Sequence, residues 1–458
     1  MSKVYIDDSR LTAIADAIRS KSGLSNTFTP PEMPEAILKY PIEKNDVTYF
    51  DYDGAVVASY SAAEFAELTE HPANPSHSGL VADGWNWDLA LAQTYVANYG
   101  KINIGQQYHT DDDCERIYFK LPYDNYTIHL KTYYTSTPSQ YTDKIDWGDG
   151  SPVEGYSGTD MVHTYAHAGD YKISILNADR RILFKGSSYS YILNTGVTNN
   201  VKGNLPSTWI YKLEFSRYYQ SNYNLTYSFA SLYNLETVAI PKTFGIMCNY
   251  CFQNCYKLKF ITFPSGMDEL GSNAFGNCYA LKHVAIDAYM AHWQTGPFTN
   301  CHSLHELYLS DHAFYSYDSR YLAQTCINLE EVIAPIYSTT VSLESTFSGC
   351  SSLKRVIGMK PCPKWTTVFY GCNSIEYVKV PAGVNTINTN NFANCYCLRT
   401  IDFSDFTTVP TLSGPTQFNT LPVQYKIIVP DDLYDTWITT NYWNDANVVT
   451  HIVKASEA

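Results

Sequence analysis

Charge is scarce in this chain: Asp, Glu, Lys and Arg supply 17% of its 458 residues, against about 25% in ordinary soluble domains. What charge there is leans one way. With 31 Lys and Arg against 45 Asp and Glu, the formal net charge is −14. That field repels nucleic acid and anionic lipid, and neither is expected as a partner. No run of 18 apolar residues occurs, so no membrane insertion by a spanning helix is expected. The opening Met1-Ser2-Lys3-Val4-Tyr5 lacks the apolar stretch of a signal peptide, and no sorting or lipid signal closes the sequence. Synthesis and assembly in a cytoplasm are the expectation. Also missing are a glycine-rich phosphate loop, a zinc-protease helix and a nucleophile elbow. No catalytic residues, no cofactor and no metal are expected, and the chain reads as a binder.

What the sequence has in quantity is repetition. The pattern F-x-x-C-x-x-L-x-x-V runs Phe252-Cys255-Leu258-Ile261, Phe275-Cys278-Leu281-Val284 and Phe298-Cys301-Leu304-Leu307. It continues through a weaker copy (Cys326-Leu329-Val332) to Phe347-Cys350-Leu353-Val356, Phe369-Cys372-Ile375-Val378 and Phe392-Cys395-Leu398-Ile401. A first copy, Phe229-Leu232-Leu235-Val238, carries Leu in place of Cys. Successive Phe positions differ by 23, 23, 23, 49, 22 and 23 residues. A unit this short cannot bury its own apolar face, so units stack and the face becomes continuous. Each unit ends in a period-2 stretch suited to one short strand. Stacked strands would form a parallel ladder at ~4.8 Å per unit, with Phe and Cys each in a core column.

These residues resemble the BspA-type leucine-rich repeats of bacterial surface and phage proteins. The segment Ile427 to Tyr434 with Trp437 and Trp443 resembles the terminal cap that follows such repeats.

Seven of the twelve cysteines fall in the repeat column. There Cys acts as a small buried hydrophobe, and Leu232 shows that a plain apolar residue serves. Free thiols are expected rather than disulfides. Cys248-x-x-Cys251-x-x-x-Cys255 has a zinc-like look, but Cys255 is a column residue and Cys251 aligns with Ala274. The 40 tyrosines suit either exposed recognition surfaces or strand positions.

The front half divides into further units. In residues 1–43, Leu11, Ile14, Ala15 and Ile18 make one apolar helix face. Together with Thr29-Pro30-Pro31-Glu32-Met33-Pro34 this stretch resembles the leading segment of structural proteins of phages of Gram-positive bacteria. That resemblance implies attachment to other virion proteins through Leu11, Ile14 and Ile18. Residues 44–104 read as a small α+β module: two strands about Asp53-Gly54, a short helix over Ser61–Thr69, and Trp85 and Trp87 as core or as sugar-stacking rings. Residues 105–185 carry Asp146-Trp147-Gly148-Asp149-Gly150, His163-Thr164-Tyr165 and the alternation Tyr171, Ile173, Ile175. They resemble a PKD-type, immunoglobulin-like β-sandwich. Calcium at Asp143, Asp146 and Asp149 is not expected, because Asp in a turn bonds nearby amides. Residues 186–224 read as linker and solenoid N-cap, 225–420 as the leucine-rich-repeat solenoid and 421–458 as its C-terminal cap. The expected fold class is mainly β and multidomain.

Between the column positions, strand side chains alternate outward. That places Phe260, His283, Glu306, Tyr308, Glu331, Arg355, Tyr377 and Lys379 on one face, the expected ligand-binding surface. The resemblances imply a phage virion protein: a tail fibre or receptor-binding protein, homo-oligomeric with a trimer among the options, that binds a host-surface glycan or protein. A capsid decoration or head fibre, or a bacterial cell-surface adhesin, would carry the same repeats.

Overall fold

The computed structural model describes residues 46–131, 143–156, 160–176, 205–219, 229–287, 292–310, 320–334, 342–388 and 390–458. Leu11, Ile14 and Ile18, expected to attach the chain to a virion, lie outside the described residues.

The first unit is a four-stranded mixed sheet with two helices. Strands β1 (Val47–Phe50) and β2 (Val56–Tyr60) form the hairpin about Gly54, closed by Asp51 N–H on the Ala55 carbonyl at 2.8 Å. Helix α1 (Ala62–Ala66) starts at a capping box in which Ser61 and Glu64 bond each other's backbone N–H. Strand β3 (Leu80–Trp85) and helix α2 (Leu89–Tyr99) follow. Asp88 caps α2 at its start and Gly100, at φ 89°, ends it. Strand β4 (Ile102–Thr110) lies between β1, parallel, and β3, antiparallel. The boundary expected at residue 104 therefore falls inside β4. All nine β4 residues are buried, because both faces of the sheet are covered. Val47, Tyr49, Ile102 and Ile104 pack with Phe65 of α1 and with Ala92, Tyr95 and Val96 of α2. The other face lies on the solenoid.

The next unit has two sheets sharing one core. Strand β5 (Cys114–Leu121), β6 (Tyr126–Lys131), β7 (Asp143–Asp146), β8 (Glu154–Tyr156), β9 (Asp160–Tyr165) and β10 (Gly169–Leu176) pair as β5-β10-β7-β8 and β6-β9. Ile117, Phe119, Ile128, Ile145, Trp147, Tyr165, Ile173 and Ile175 fill the space between. The Asp-Trp-Gly-Asp-Gly run is an interlocked turn. Asp146 accepts from Gly148 N–H at 2.9 Å and Asp149 from Ser151 N–H at 3.0 Å. His163 stacks on Trp147 at 4.7 Å and reaches Asp149 Oδ2 at 2.7 Å. Tyr165 donates to the Trp147 carbonyl at 2.8 Å. Burial alone would raise the Asp149 pKa, but hydrogen bonds from Ser151 and His163 hold it down to about 2. Gly148 is required here: at φ +77° its Cβ would sit 2.2 Å from the Lys172 carbonyl oxygen.

The sandwich sheet runs on into the solenoid. Strand β11 (Ile210–Glu214) pairs antiparallel with β5 and parallel with β12 (Thr237–Ala239), the first repeat rung. Buried charge pins this junction. Arg116, almost fully buried, donates to the Gly79 carbonyl at 2.6 Å and meets Asp111, Asp112 and Glu214 at 2.9, 2.9 and 3.1 Å. Lys212 meets Glu214 at 2.7 Å.

Among the described residues, six coils carry two short strands where the sequence reading expects one, while the coil of Phe252 carries only Glu269–Leu270. The outward ladder joins His283–Ile286, Glu306–Leu309, Glu331–Ile333 and Arg355–Ile357, and separately Tyr377–Lys379, Thr400–Asp402, Lys426–Val429 and Ile452–Lys454. A second parallel ladder, on the other side of the coil, joins Ile246–Met247 to Glu269–Leu270 and His292–Trp293, and Leu343–Glu344 to Lys364–Thr366, Thr386–Ile387 and Thr411–Leu412. The Phe rings stack at 5.1, 5.5 and 5.7 Å from Phe229 to Phe298. In the weak copy, buried Ala323 takes the Phe place, and its carbonyl accepts from the Cys350 thiol as the Phe carbonyls do elsewhere. Trp437 and Trp443 are fully buried against Phe403 at the last coils.

Candidate functional site

Of the eight residues expected on the outward face, five are covered by the chain itself. The Phe50 ring lies 5.1 Å from Phe260 and stacks on His283 at 5.0 Å. Asn103 donates to Glu306 Oε2 at 2.9 Å, and Lys101 reaches Glu331 at 3.5 Å. Tyr308 is 1% exposed and packs with Ala285 and Ile333 in the same core as Trp87, Tyr95 and Ile104. Tyr95 donates to the Leu309 carbonyl at 3.1 Å. The reading of Phe260, His283, Glu306, Tyr308 and Glu331 as a solvent face is thus corrected: they are the floor on which residues 46–110 sit. The cause is the mixed sheet's second face, which two short helices cannot reach and which must be buried somewhere. Desolvation works to raise the Glu306 pKa, yet the bonds from His283 and Asn103 bring it down to about 2.

Beyond Ile333 the face opens. Arg355, Tyr377 and Lys379 are exposed. Arg355 pairs with Glu331, and Lys379 with Asp405 at 2.7 Å. Tyr377 is 49% exposed, and its hydroxyl donates to Asp402 Oδ2 at 2.6 Å. That carboxylate also accepts from Ser404 N–H at 2.8 Å.

A second surface was missed by the sequence reading. Tyr233, Tyr256, Tyr279 and His302 stack in a stripe at 5.0, 4.9 and 4.9 Å. Tyr256 and Tyr279 are more than a third exposed. The signal lay in the sequence, since each follows directly on the column residue Leu232, Cys255, Cys278 or Cys301.

The column thiols do more than fill space. Each donates to a carbonyl one coil earlier: Cys255 to Phe229, Cys278 to Phe252, Cys301 to Phe275 and Cys372 to Phe347 at 3.2 Å, Cys326 to Phe298 at 3.1 Å, and Cys350 to Ala323 and Cys395 to Phe369 at 3.0 Å. Burial raises these thiols, Cys395 to about 12. None of the twelve cysteines is joined in a disulfide.

Pairs that could be mistaken for catalytic dyads are occupied otherwise. Cys301 is fully buried and His302 stacks on Tyr279, while His163 bonds Asp149. Trp87 is buried, and Trp85 packs edge-on to Tyr49 with its N–H on the Pro72 carbonyl at 3.0 Å. Among the described residues no group of three or more His, Cys, Asp or Glu is placed to hold a metal ion, and no helix is long and apolar enough to cross a membrane.

Coils of about 23 residues with buried Phe, Cys and Leu columns and a parallel outward ladder define a leucine-rich-repeat solenoid. Residues 225–354 and 324–413 match the family described as BspA type Leucine rich repeat region, in six copies. Among solved structures, a leucine-rich repeat protein from Bacteroides ovatus ATCC 8483 is similar at 20% identity and a TM-score of 0.37, over 55% of this chain and 70% of that one. The T. pallidum leucine-rich repeat protein is similar at 20% identity and 0.30, over 36% and 83%. A leucine rich cell surface protein from Faecalibacterium prausnitzii A2-165 is similar at 18% identity and 0.25, over 40% and 61%. No curated protein matches the chain.

Proposed function

We propose that this chain is a non-catalytic surface-recognition protein whose solenoid contacts a cell envelope. The observation that carries this reading is the open stretch of the outward ladder. There Arg355, Tyr377 and Lys379 stand exposed on short parallel strands while the same face, at Glu331 and the coils before it, is sealed by the chain's own module. A solenoid fixes its core columns and leaves such a face free to vary with its ligand. Side chains held on a packed sheet lose little entropy on binding, which favours recognition there over a loop.

The setting we favour is a virion. The N-terminal stretch resembles the leading segment of phage structural proteins, and the Asp146–Gly150 and His163–Tyr165 segments resemble a PKD-type sandwich. A tail fibre or receptor-binding protein would attach through Leu11, Ile14 and Ile18, oligomerise, and present the solenoid to a host-surface glycan or protein. The alternative with a feature of its own is a bacterial cell-surface adhesin, which the BspA-type repeats over residues 225–413 equally fit. A capsid fibre is the third setting.

Immunogold electron microscopy with antibodies against residues 225–458 separates the three. Gold at tail tips in a lysate supports the receptor-binding reading. Gold over capsids moves the protein to the decoration class, and gold on intact cell walls beside bare particles replaces both with the adhesin.

A further inference from the structure

Tyr377 differs from every stacked tyrosine on the solenoid. Tyr256 and Tyr279 cover each other's faces, whereas among the described residues no ring stacks on Tyr377. The ladder is interrupted beside it: Arg355–Ile357 ends one sheet and Tyr377–Lys379 begins the next. Its ring stays in one orientation because the hydroxyl is held by Asp402 at 2.6 Å, and Asp402 is itself anchored by Ser404. In register beside it come Thr400 and then Lys426. Among the described residues neither the Thr400 hydroxyl nor the Lys426 ammonium has a partner. The row is about 10 Å long at the ~4.8 Å rung spacing. It offers in order a fixed aromatic face, a hydroxyl and an ammonium.

We propose that Tyr377, Thr400 and Lys426 form a binding site for an uncharged pyranose-containing polysaccharide. The C–H face of one sugar ring lies on Tyr377, and its hydroxyls bond Thr400 and Lys426. This proposal rests on the recognition reading above. A protein partner fits less well, since interface cores need several clustered apolar anchors and Tyr377 is the one large exposed hydrophobe on this part of the ladder. An anionic glycan is disfavoured by the exposed Glu376 and Asp405 nearby and by the net charge of −14.

The test uses the full chain on an immobilised glucan, galactan, mannan and rhamnan, with heparin as anionic control. The wild-type chain should bind at least one neutral polysaccharide. Tyr377→Ala should weaken that binding about tenfold or more and Thr400→Ala a few-fold. Tyr396→Ala, exposed but off the row, should change nothing. Unaltered melting temperatures confirm that the exposed-site variants fold. Binding to heparin alone, to no probe, or equally by Tyr377→Ala would overturn the site. Adhesion to whole cells tells this failure from a wider one. Equal adhesion by Tyr377→Ala sinks the sugar platform and leaves cell recognition standing, whereas a wild-type chain that binds no cells sinks the recognition reading itself.

Discussion

Asn103 donates its side-chain hydrogen bond to Glu306 at 2.9 Å, across 203 residues of chain. That bond and its neighbours make residues 46–110 part of the solenoid's fold. Tyr308, expected outward from strand alternation, is the central side chain of the contact.

Truncating it should therefore act on two units at once. Tyr308→Ala leaves a cavity between Trp87, Tyr95, Ile104 and Ile333, and a loss of about 3–5 kcal/mol is expected for a buried aromatic. Urea denaturation reads the loss. Limited proteolysis should then cut within residues 46–110 before the solenoid. Wild-type stability in this variant would show that the two units are merely adjacent.

Glu115 gives a pH dependence opposite to the usual carboxylate. It is fully enclosed, so desolvation pushes its pKa up to about 7 from 4.5, although Ser216 donates to it twice, at 3.0 and 2.6 Å. Between those values the folded chain keeps a proton that the unfolded chain has released. The contribution of this group to stability is therefore greatest at the acid end of the window and falls as pH rises toward 7. Glu306 runs the other way. Held down at about 2, it contributes fully above 4.5 and its contribution is lost as pH falls toward 2. Glu115→Gln should flatten the stability profile from pH 5 to 7.5 and raise stability at pH 8, on the order of 1–3 kcal/mol. A calorimetric profile with an unchanged slope would rule out Glu115 as its source.

The repeat columns were legible in the sequence because every coil asks the same thing of the same position. Phe252, Cys255, Leu258 and Ile261 are each buried, and so are their counterparts except the partly buried Val356. The fate of the outward face was not legible. Alternation tells which side chains leave the coil, but the covering module lies about 200 residues away along the chain, where period and spacing carry no information. Helix α2 was overlooked although Asp88 and Gly100 mark its ends. The second ladder escaped because its strands are two or three residues long, too short to show a period. Leu232 in the Cys column misled in a different way. It made the thiol look like filler, when Cys255 and its successors also tie each coil to the one before.

Those ties predict the chemistry of the thiols. Cys397 is exposed and Cys114 partly so, while the other ten are buried. A disulfide-exchange reagent on the native chain should label Cys397 fast, Cys114 slowly and the rest only after denaturation, when all twelve react. Burial and Asp112 both push Cys114 up, to about 12, which accounts for its slowness. Rapid native labelling of three or more thiols would contradict the column geometry. Cys301→Ala should cost about 1–3 kcal/mol, from lost packing and a Phe275 carbonyl deprived of one donor.

The residue before each column position adopts positive φ: Asn254, Asn277, Asn300 and Asn394 at 62–63°, Ser231 at 62°, Thr325 at 57°, Gly349 at 78° and Gly371 at 73°. Asn tolerates this region and Gly has no penalty there. The asparagines also bond one another along the stack, Asn277 to Asn254 at 2.8 Å and Asn300 to Asn277 at 2.9 Å. Adding Asn at the two glycines should then give unequal results. A Cβ at Gly371 meets the Gly349 backbone, Cα at 3.7 Å and N at 3.8 Å, in ordinary contact, whereas at Gly349 it meets Thr325 Cγ2 at 2.9 Å. Thr325 cannot swing away freely, because it is β-branched and its hydroxyl is held by Asn300. Gly371→Asn should leave stability within about 0.5 kcal/mol, and Gly349→Asn should lose about 1–3 kcal/mol to crowding. Equal losses in denaturant titrations would mean that backbone conformation alone, rather than contact between neighbouring coils, decides which residue this column accepts.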